Sequence, residues 1–136
     1  MNRSGYSDDG DNWQLIKWRG QVSSSIRGKR GQAFLRELVE ALDAMPEKRL
    51  IADDLQSGDN VCAIGSVGVR RGIDMSKFDP DDHDGIAASF GITHQLVREI
   101  EWMNDDGLWR ATPERRWQFM RDWAVSQLKS EQEVKP

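Results

Sequence analysis

The chain has 136 residues and a formal charge of −4, with 38% hydrophobic and 31% charged residues and a mean hydropathy of −0.70. A length of this order fits one domain whose core needs no metal or disulfide staple, and Cys62, the only cysteine, excludes an intramolecular disulfide and points to a reducing compartment. No stretch approaches the ~18 apolar residues of a membrane span, and Met1 to Asn12 lacks the apolar core of a targeting peptide, so the composition predicts a soluble protein with no membrane partner.

The net charge hides an asymmetry. Between Trp13 and Arg36 stand Lys17, Arg19, Arg27, Lys29, Arg30 and Arg36 with no acid at all. Between Asp79 and Asp106 stand Asp79, Asp81, Asp82, Asp84, Glu99, Glu101, Asp105 and Asp106 against Arg98 alone, a net charge of −7. The two segments either occupy different faces or neutralise each other inside the fold.

Residues 1–11 read as a flexible lead-in, with Asn12 as the N-cap of a helix from Trp13 to about Arg27. Leu15, Trp18, Val22 and Ile26 form its apolar stripe at spacings of three and four. Gly28 to Gly31 reads as a glycine-bounded basic turn. A second helix then runs from about Gln32 to Ala44 on Phe34, Leu35, Leu38, Val39 and Leu42, and Pro46 stops it because its ring disfavours αR at Met45 and removes a donor.

From Lys48 to Gly72 two readings stand. Leu50, Ile51 and Leu55 precede a Ser57-Gly58-Asp59-Asn60 turn and the run Val61 to Gly65, which fits a hairpin or, preferably, a closely packed helix with at most a minor strand. Glycines 65, 68 and 72 would each cost a helix interior about 1 kcal/mol while allowing close backbone approach. Asp79-Pro80 reads as the start of the next helix, with proline at N1 and Asp81 and Asp82 in the first turn, ending at Gly91. Thr93 caps a helix on Leu96, Val97, Ile100 and Met103 that frays at Asn104 to Gly107. Thr112-Pro113 starts the last, on Trp117, Met120, Ala124 and Leu128, and residues 130–136 read as a loose tail.

These elements predict a mainly α fold. It is a compact bundle of about five helices over residues 12–129, with a helix-turn-helix-like corner and a short β-hairpin near 49–64 as the alternative for that stretch.

The corner rests on Ile86, Ala87, Phe90, Gly91, Ile92, Val97 and Ile100, in which a small residue lets two helices approach and a glycine makes the turn. Such spacing encodes helix packing rather than base contact, and Glu99 and Glu101 on the second helix would repel phosphate, so a structural corner is the stronger reading. The basic stretch is the better anion candidate, because Gly28 and Gly31 would leave N–H groups exposed beside it; a solvated basic face is the alternative. A phosphate-binding loop fails, since Arg30 follows Lys29 and Ser23 stands where the first glycine belongs. A calcium loop on Asp79 to Gly85 also fails, because Pro80 and Gly91 fall where carboxylates are required. With His83, His94 and one cysteine, a zinc site is not expected, and neither is nucleophilic catalysis by Cys62, which reads as core filler. No cofactor or catalytic residue is assigned. Of six tryptophans, Trp18 and Trp117 lie on apolar stripes, whereas Trp102, Trp109 and Trp123 stand beside charges; Trp109 with Arg110 and Trp123 with Arg121 read as a contact surface, with partial core burial as the alternative.

The stretches Trp18-Arg19-Gly20-Gln21, Ile26-Arg27-Gly28-Lys29-Arg30-Gly31-Gln32-Ala33-Phe34-Leu35-Arg36-Glu37-Leu38, Ala41 to Pro46 and Lys48 to Ile51 resemble a family of small bacteriophage- and prophage-encoded proteins. Val61 to Gly65, Phe90 to Ile92 and Thr112 to Glu114 continue the resemblance over most of the chain. It implies a phage setting and residence in the host cytoplasm, and it brings no site residues. On that footing the expected function is non-enzymatic inhibition of a host or anti-phage defence complex, in the manner of anti-CRISPR proteins. The candidate partner-binding set is Asp82, Asp84, Glu99, Glu101, Trp102, Asp105, Asp106 and Trp109. The alternative is a nucleic-acid-binding regulator using Lys17, Arg19, Arg27, Lys29, Arg30 and Arg36 with the 81–104 corner. Self-association is compatible with either.

Overall fold

The computed structural model describes residues 12–129, so the readings for the lead-in 1–11 and the tail 130–136 lie outside the described residues. Among the described residues six helices carry the fold: α1 (Asn12–Arg27), α2 (Lys29–Ala44), α3 (Ala63–Arg70), α4 (His83–Phe90), α5 (His94–Asp106) and α6 (Pro113–Gln127). A two-residue antiparallel ladder, β1 (Gln56–Ser57) with β2 (Asn60–Val61), precedes α3, and a 3-10 turn spans Met75–Lys77. The fold is the expected helical bundle with a hairpin, and 48–72 contains both of the elements weighed for it. No helix among the described residues is long and apolar enough to cross a membrane.

The α1 stripe buries Trp18, Val22 and Ile26, and leaves Leu15 half-exposed. The break after it is shorter than the sequence suggests. Gly28 alone interrupts the helix, and Lys29, Arg30 and Gly31 already form the first turn of α2. Gly31 makes this close junction feasible, because a Cβ there would lie 1.8 Å from the Ser25 carbonyl oxygen. Next to it Gln32, fully buried, donates to the carbonyls of Ile26 and Gln127 and accepts from the Lys129 N–H, fastening the α1–α2 junction to the end of α6.

Phe34, Leu35, Leu38, Ala41 and Leu42 of α2 form the centre of the core, against which α3 and α6 pack. Beyond Pro46 the Lys48 ammonium donates to the carbonyls of Asp43 and Met45, serving acceptors that the ended helix leaves open. Gly65 sits where a Cβ would come within 1.9 Å of the Leu55 carbonyl oxygen, so α3 can lie directly on the loop before the hairpin. Glycine is there for contact, at a cost in helix propensity.

The start of α4 differs from expectation. Asp79-Pro80 opens a turn rather than a helix: Asp79 accepts the Asp81 N–H through its side chain and the Asp82 N–H through its carbonyl. Asp82 then caps α4 by accepting from Gly85 N–H at 3.1 Å, so the helix begins at His83. An aspartate before proline satisfies its own local turn and competes with helix at that position. Gly91 ends α4 in the left-handed region (φ 70°), and Thr93 caps α5 by accepting from Leu96 N–H. Ile86, Ala87, Phe90, Ile92, Val97 and Ile100 are all buried, as the corner spacing requires. Thr112 caps α6, which buries Trp117, Met120 and Ala124.

Candidate functional site

Helix α5 packs on four other helices, α1, α4, α3 and α6. Of its residues only His94 and Asp106 are exposed, one at each end. This corrects the expectation that Glu99 and Glu101 are presented outward: they are 5% and 6% exposed. The N-terminal end that a DNA-reading helix would push into a groove is occupied by α1, through Thr93 Oγ1 to Ser25 Oγ at 2.8 Å and Gln95 to Gln21. The helix-turn-helix spacing therefore encodes a packed corner whose second helix has no free face.

Glu101, but not Glu99, lines a cleft of about 230 Å³ between the loop before β1, the start of α3, the Pro80-Asp81 turn and α5. Leu55, Cys62, Ile64, Pro80 and Ile100 give it apolar walls, and Asp53, Asp54, Asp81, Glu101, Asn104 and Asp105 give it polar ones. Its shape is fixed by Asn104, which is 3% exposed. The Asn104 side chain accepts from Ala63 N–H at 3.0 Å and donates to the Ile51 carbonyl and to Asp105 Oδ1, so α5 holds both the start of α3 and the loop before β1. Asp105 Oδ1 also accepts the Asp53 N–H at 3.1 Å. On the outer side Arg116 donates to the carbonyls of Asn104, Leu50 and Ala111, drawing α6 into the same arrangement.

Glu101 is the unusual member. One oxygen, Oε2, lies 2.8 Å from His83 Nε2, and the other, Oε1, is buried without a partner. Burial, reinforced by the negative charge of Asp105 and Asp81, pushes the Glu101 carboxyl up to about 8. His83 is pushed down from its ordinary value, first by burial and then by Arg98. Both shifts favour neutral forms, so near neutrality the Glu101 carboxyl carries a proton and donates it to His83 Nε2. Asp105 is raised as well, mainly by burial.

The remaining predicted residues divide by exposure. Asp82 is exposed and committed to the α4 cap, Asp84 and Asp106 are exposed, and Asp105 and Trp102 are half-buried. Trp109 is 83% exposed, with the Arg110 guanidinium 5.4 Å from its ring centre. Trp18 and Trp117 are buried, and the Trp117 indole N–H donates to the Leu42 carbonyl; Trp123 packs half-buried against the core. Lys17, Arg19, Arg27, Lys29 and Arg30 are exposed and Arg36 half-buried. Ion pairs among the described residues join Arg71 to Glu37, Arg121 to Asp43, Arg70 to Glu40 and Arg49 to Glu47, and none links the basic 13–36 segment to Asp82, Asp84, Asp105 or Asp106. Cys62 is buried, caps α3 by accepting from Gly65 N–H, and has its thiol pushed up to about 12 by burial.

Sequence reasoning assigns no site role to Asp53, Asp54, Asp81, His83 or Asn104. Asn104-Asp105 reads as a fraying helix end, and nothing local brings residues 53 and 54 to it. No protein-family model, curated protein or solved structure matches the chain.

Proposed function

We propose that this chain is a non-enzymatic phage or prophage accessory protein that inhibits a host or anti-phage defence complex by docking its acidic side on a basic surface of that complex. The observation that carries this reading is the segregation of exposed charge. Asp53, Asp54, Asp81, Asp84 and Asp106 are exposed on the segments around the acidic cleft, while Lys17, Arg19, Arg27, Lys29 and Arg30 are exposed on α1 and the first turn of α2. Trp109, 83% exposed beside Arg110, adds the kind of aromatic anchor that dominates interface energetics. The phage setting comes from the resemblance in sequence.

The test is a tagged pull-down from a bacterial host, with and without nuclease, followed by gel filtration and mass spectrometry. Asp84→Lys with Asp106→Lys, and separately Trp109→Ala, change exposed side chains that cap no helix. A stoichiometric protein partner that survives nuclease and is lost in these variants supports the reading; no partner at stoichiometric yield rejects it.

One observation favours a second reading, a nucleic-acid-binding role. The ion pairs described above involve none of the five exposed cations of α1 and α2, whose positive charge would attract phosphates. In this reading the α1–α2 surface acts without α5 entering a groove. Duplex binding that falls steeply with salt and weakens in Arg27→Ala and Arg30→Ala supports it, and unchanged retention in those variants rejects it.

A further inference from the structure

We propose that the outer face of α1, with the groove that continues it to the first turn of α2, binds a single nucleic-acid strand, with a base stacked on Trp13 and phosphates held by Lys17, Lys29 and Arg30. This rests on the nucleic-acid reading above and narrows it from any polyanion to an unpaired strand.

The helical repeat puts the parts on one line. Trp18, Val22 and Ile26 turn one side of α1 into the core, so Trp13, Lys17, Gly20, Ser24 and Arg27 run down the opposite side at spacings of four and three, and all five are exposed. Gly20 has nothing within 4 Å of where a Cβ would stand, and Ser24 is small, so the middle of this line is low. It opens into a groove lined by Lys17 and Gln21 on the α1 side and by Thr93 and Gln95 at the start of α5. Through Ser24, Ser25 and Thr93 the groove is continuous with a second hollow at the α1–α2 junction, where Lys29 and Arg30 stand. The path from Trp13 to Arg27 follows about 21 Å of helix, room for about four nucleotides.

The chemistry of the occupant follows from this layout. None of the described residues lining the two hollows is acidic. Positive charge stands at both ends, and the middle is made of hydroxyl and amide side chains, which donate and accept hydrogen bonds as sugars and base edges require. Spaced cations with polar groups between them match the backbone of a nucleic acid, with its spaced phosphates. The N-cap of α2 is Gly28, so no capping carboxylate stands beside Lys29 and Arg30 to repel a phosphate.

Trp13 separates a single strand from a duplex. It is 59% exposed, with the Lys17 ammonium 6.0 Å from its ring centre. In a duplex the bases are stacked on one another and closed to such a ring, whereas an unpaired base can lie on the indole face and leave Lys17 to reach its phosphate. Ile16, 57% exposed one turn along, adds apolar surface beside it. The start of α5, tied to α1 through Thr93 and Gln95, forms the far side of the groove instead of entering a duplex.

The experiment is fluorescence anisotropy of the full chain at low ionic strength with labelled oligothymidylate and oligouridylate of about 12 nucleotides, a duplex of the same length as competitor, and sedimentation with phosphatidylglycerol–phosphatidylcholine vesicles in parallel. Expected are saturable binding of at least one strand, about tenfold weaker competition by the duplex, and a logarithmic salt slope of about −2 for three phosphates neutralised. Trp13→Ala should weaken binding roughly tenfold and Trp13→Phe should restore most of it. Gly20→Leu, which fills the low middle of the line, should weaken it too, and circular dichroism should show both exposed positions changed without loss of the fold. If neither strand nor duplex binds, or if Arg27→Ala and Arg30→Ala change nothing, the nucleic-acid reading falls and the single-strand site with it. Sedimentation with the vesicles but no binding of strands overturns both and assigns the face to an anionic membrane surface. If binding depends on those arginines but the duplex competes equally, or Trp13→Ala and Gly20→Leu leave it unchanged, the nucleic-acid reading stands and the single-strand site is overturned.

Discussion

His83 Nε2 lies 2.8 Å from Glu101 Oε2 with the two side chains only 9% and 7% exposed, which makes this pair a buried acid–base contact rather than a surface ion pair. With the acid raised to about 8 and the base lowered, the contact is a neutral hydrogen bond near pH 7. Its pH dependence has a definite sign. Native Glu101 keeps a proton that the unfolded chain releases near 4.5, so its stabilisation is complete below that value and is lost as pH rises through about 8. His83, depressed from 6.5, contributes stability above 6.5 that is lost as pH falls through its lower native value.

The thermal midpoint should therefore fall between pH 6.5 and 8.5 in the natural chain and stay nearly flat in Glu101→Gln, whose amide mimics the protonated acid and can donate to His83. Differential scanning calorimetry across this window checks it, and the contribution of Asp105, common to both proteins, drops out of the difference. Parallel curves would show that Glu101 is ionised in the native state.

Asn104→Ala should destabilise the fold by about 1–3 kcal/mol, because it strands the buried Ala63 N–H and frees the Ile51 carbonyl. Asn104→Asp keeps an acceptor for Ala63 but cannot donate to Ile51, and it adds charge beside Asp105, so it should not rescue. Urea denaturation of the three proteins measures the order.

Two glycine-to-alanine changes should have opposite signs. At Gly20, on the exposed side of α1 with nothing within 4 Å of the added carbon, alanine should stabilise by about 1 kcal/mol through helix propensity alone. At Gly65, where the same carbon would meet the Leu55 carbonyl at 1.9 Å, alanine must push α3 off the loop and should destabilise by about 1–3 kcal/mol, as overpacking does. Thermal melts of the two variants decide it, and a stabilised Gly65→Ala would refute the close contact.

Cys62 should be inert to thiol reagents in the native chain, since burial removes access and raises the thiol to about 12. Ellman's reagent should react at the rate of global unfolding, and an early fast phase would show local opening at the cleft wall.

What the sequence by itself determined was what local chemistry governs. The apolar spacing of α2, the stop at Pro46, the caps at Thr93 and Thr112 and the corner at Gly91 each need only near neighbours along the chain, and each stands where the sequence puts it. The start of α4 misled because Asp79 and Asp82 are equally good caps by type, and only the turn closed by Asp79 separates them. Tertiary structure alone decided which acids face solvent. Glu99 and Glu101 lie on a helix enclosed by four others, and an acidic residue carries no mark in the sequence of whether packing will bury it. The cleft likewise depends on Asn104 and Asp105 meeting Ile51, Asp53 and Ala63 across 41 to 53 residues of chain, a meeting set by the sum of the core contacts rather than by any one segment.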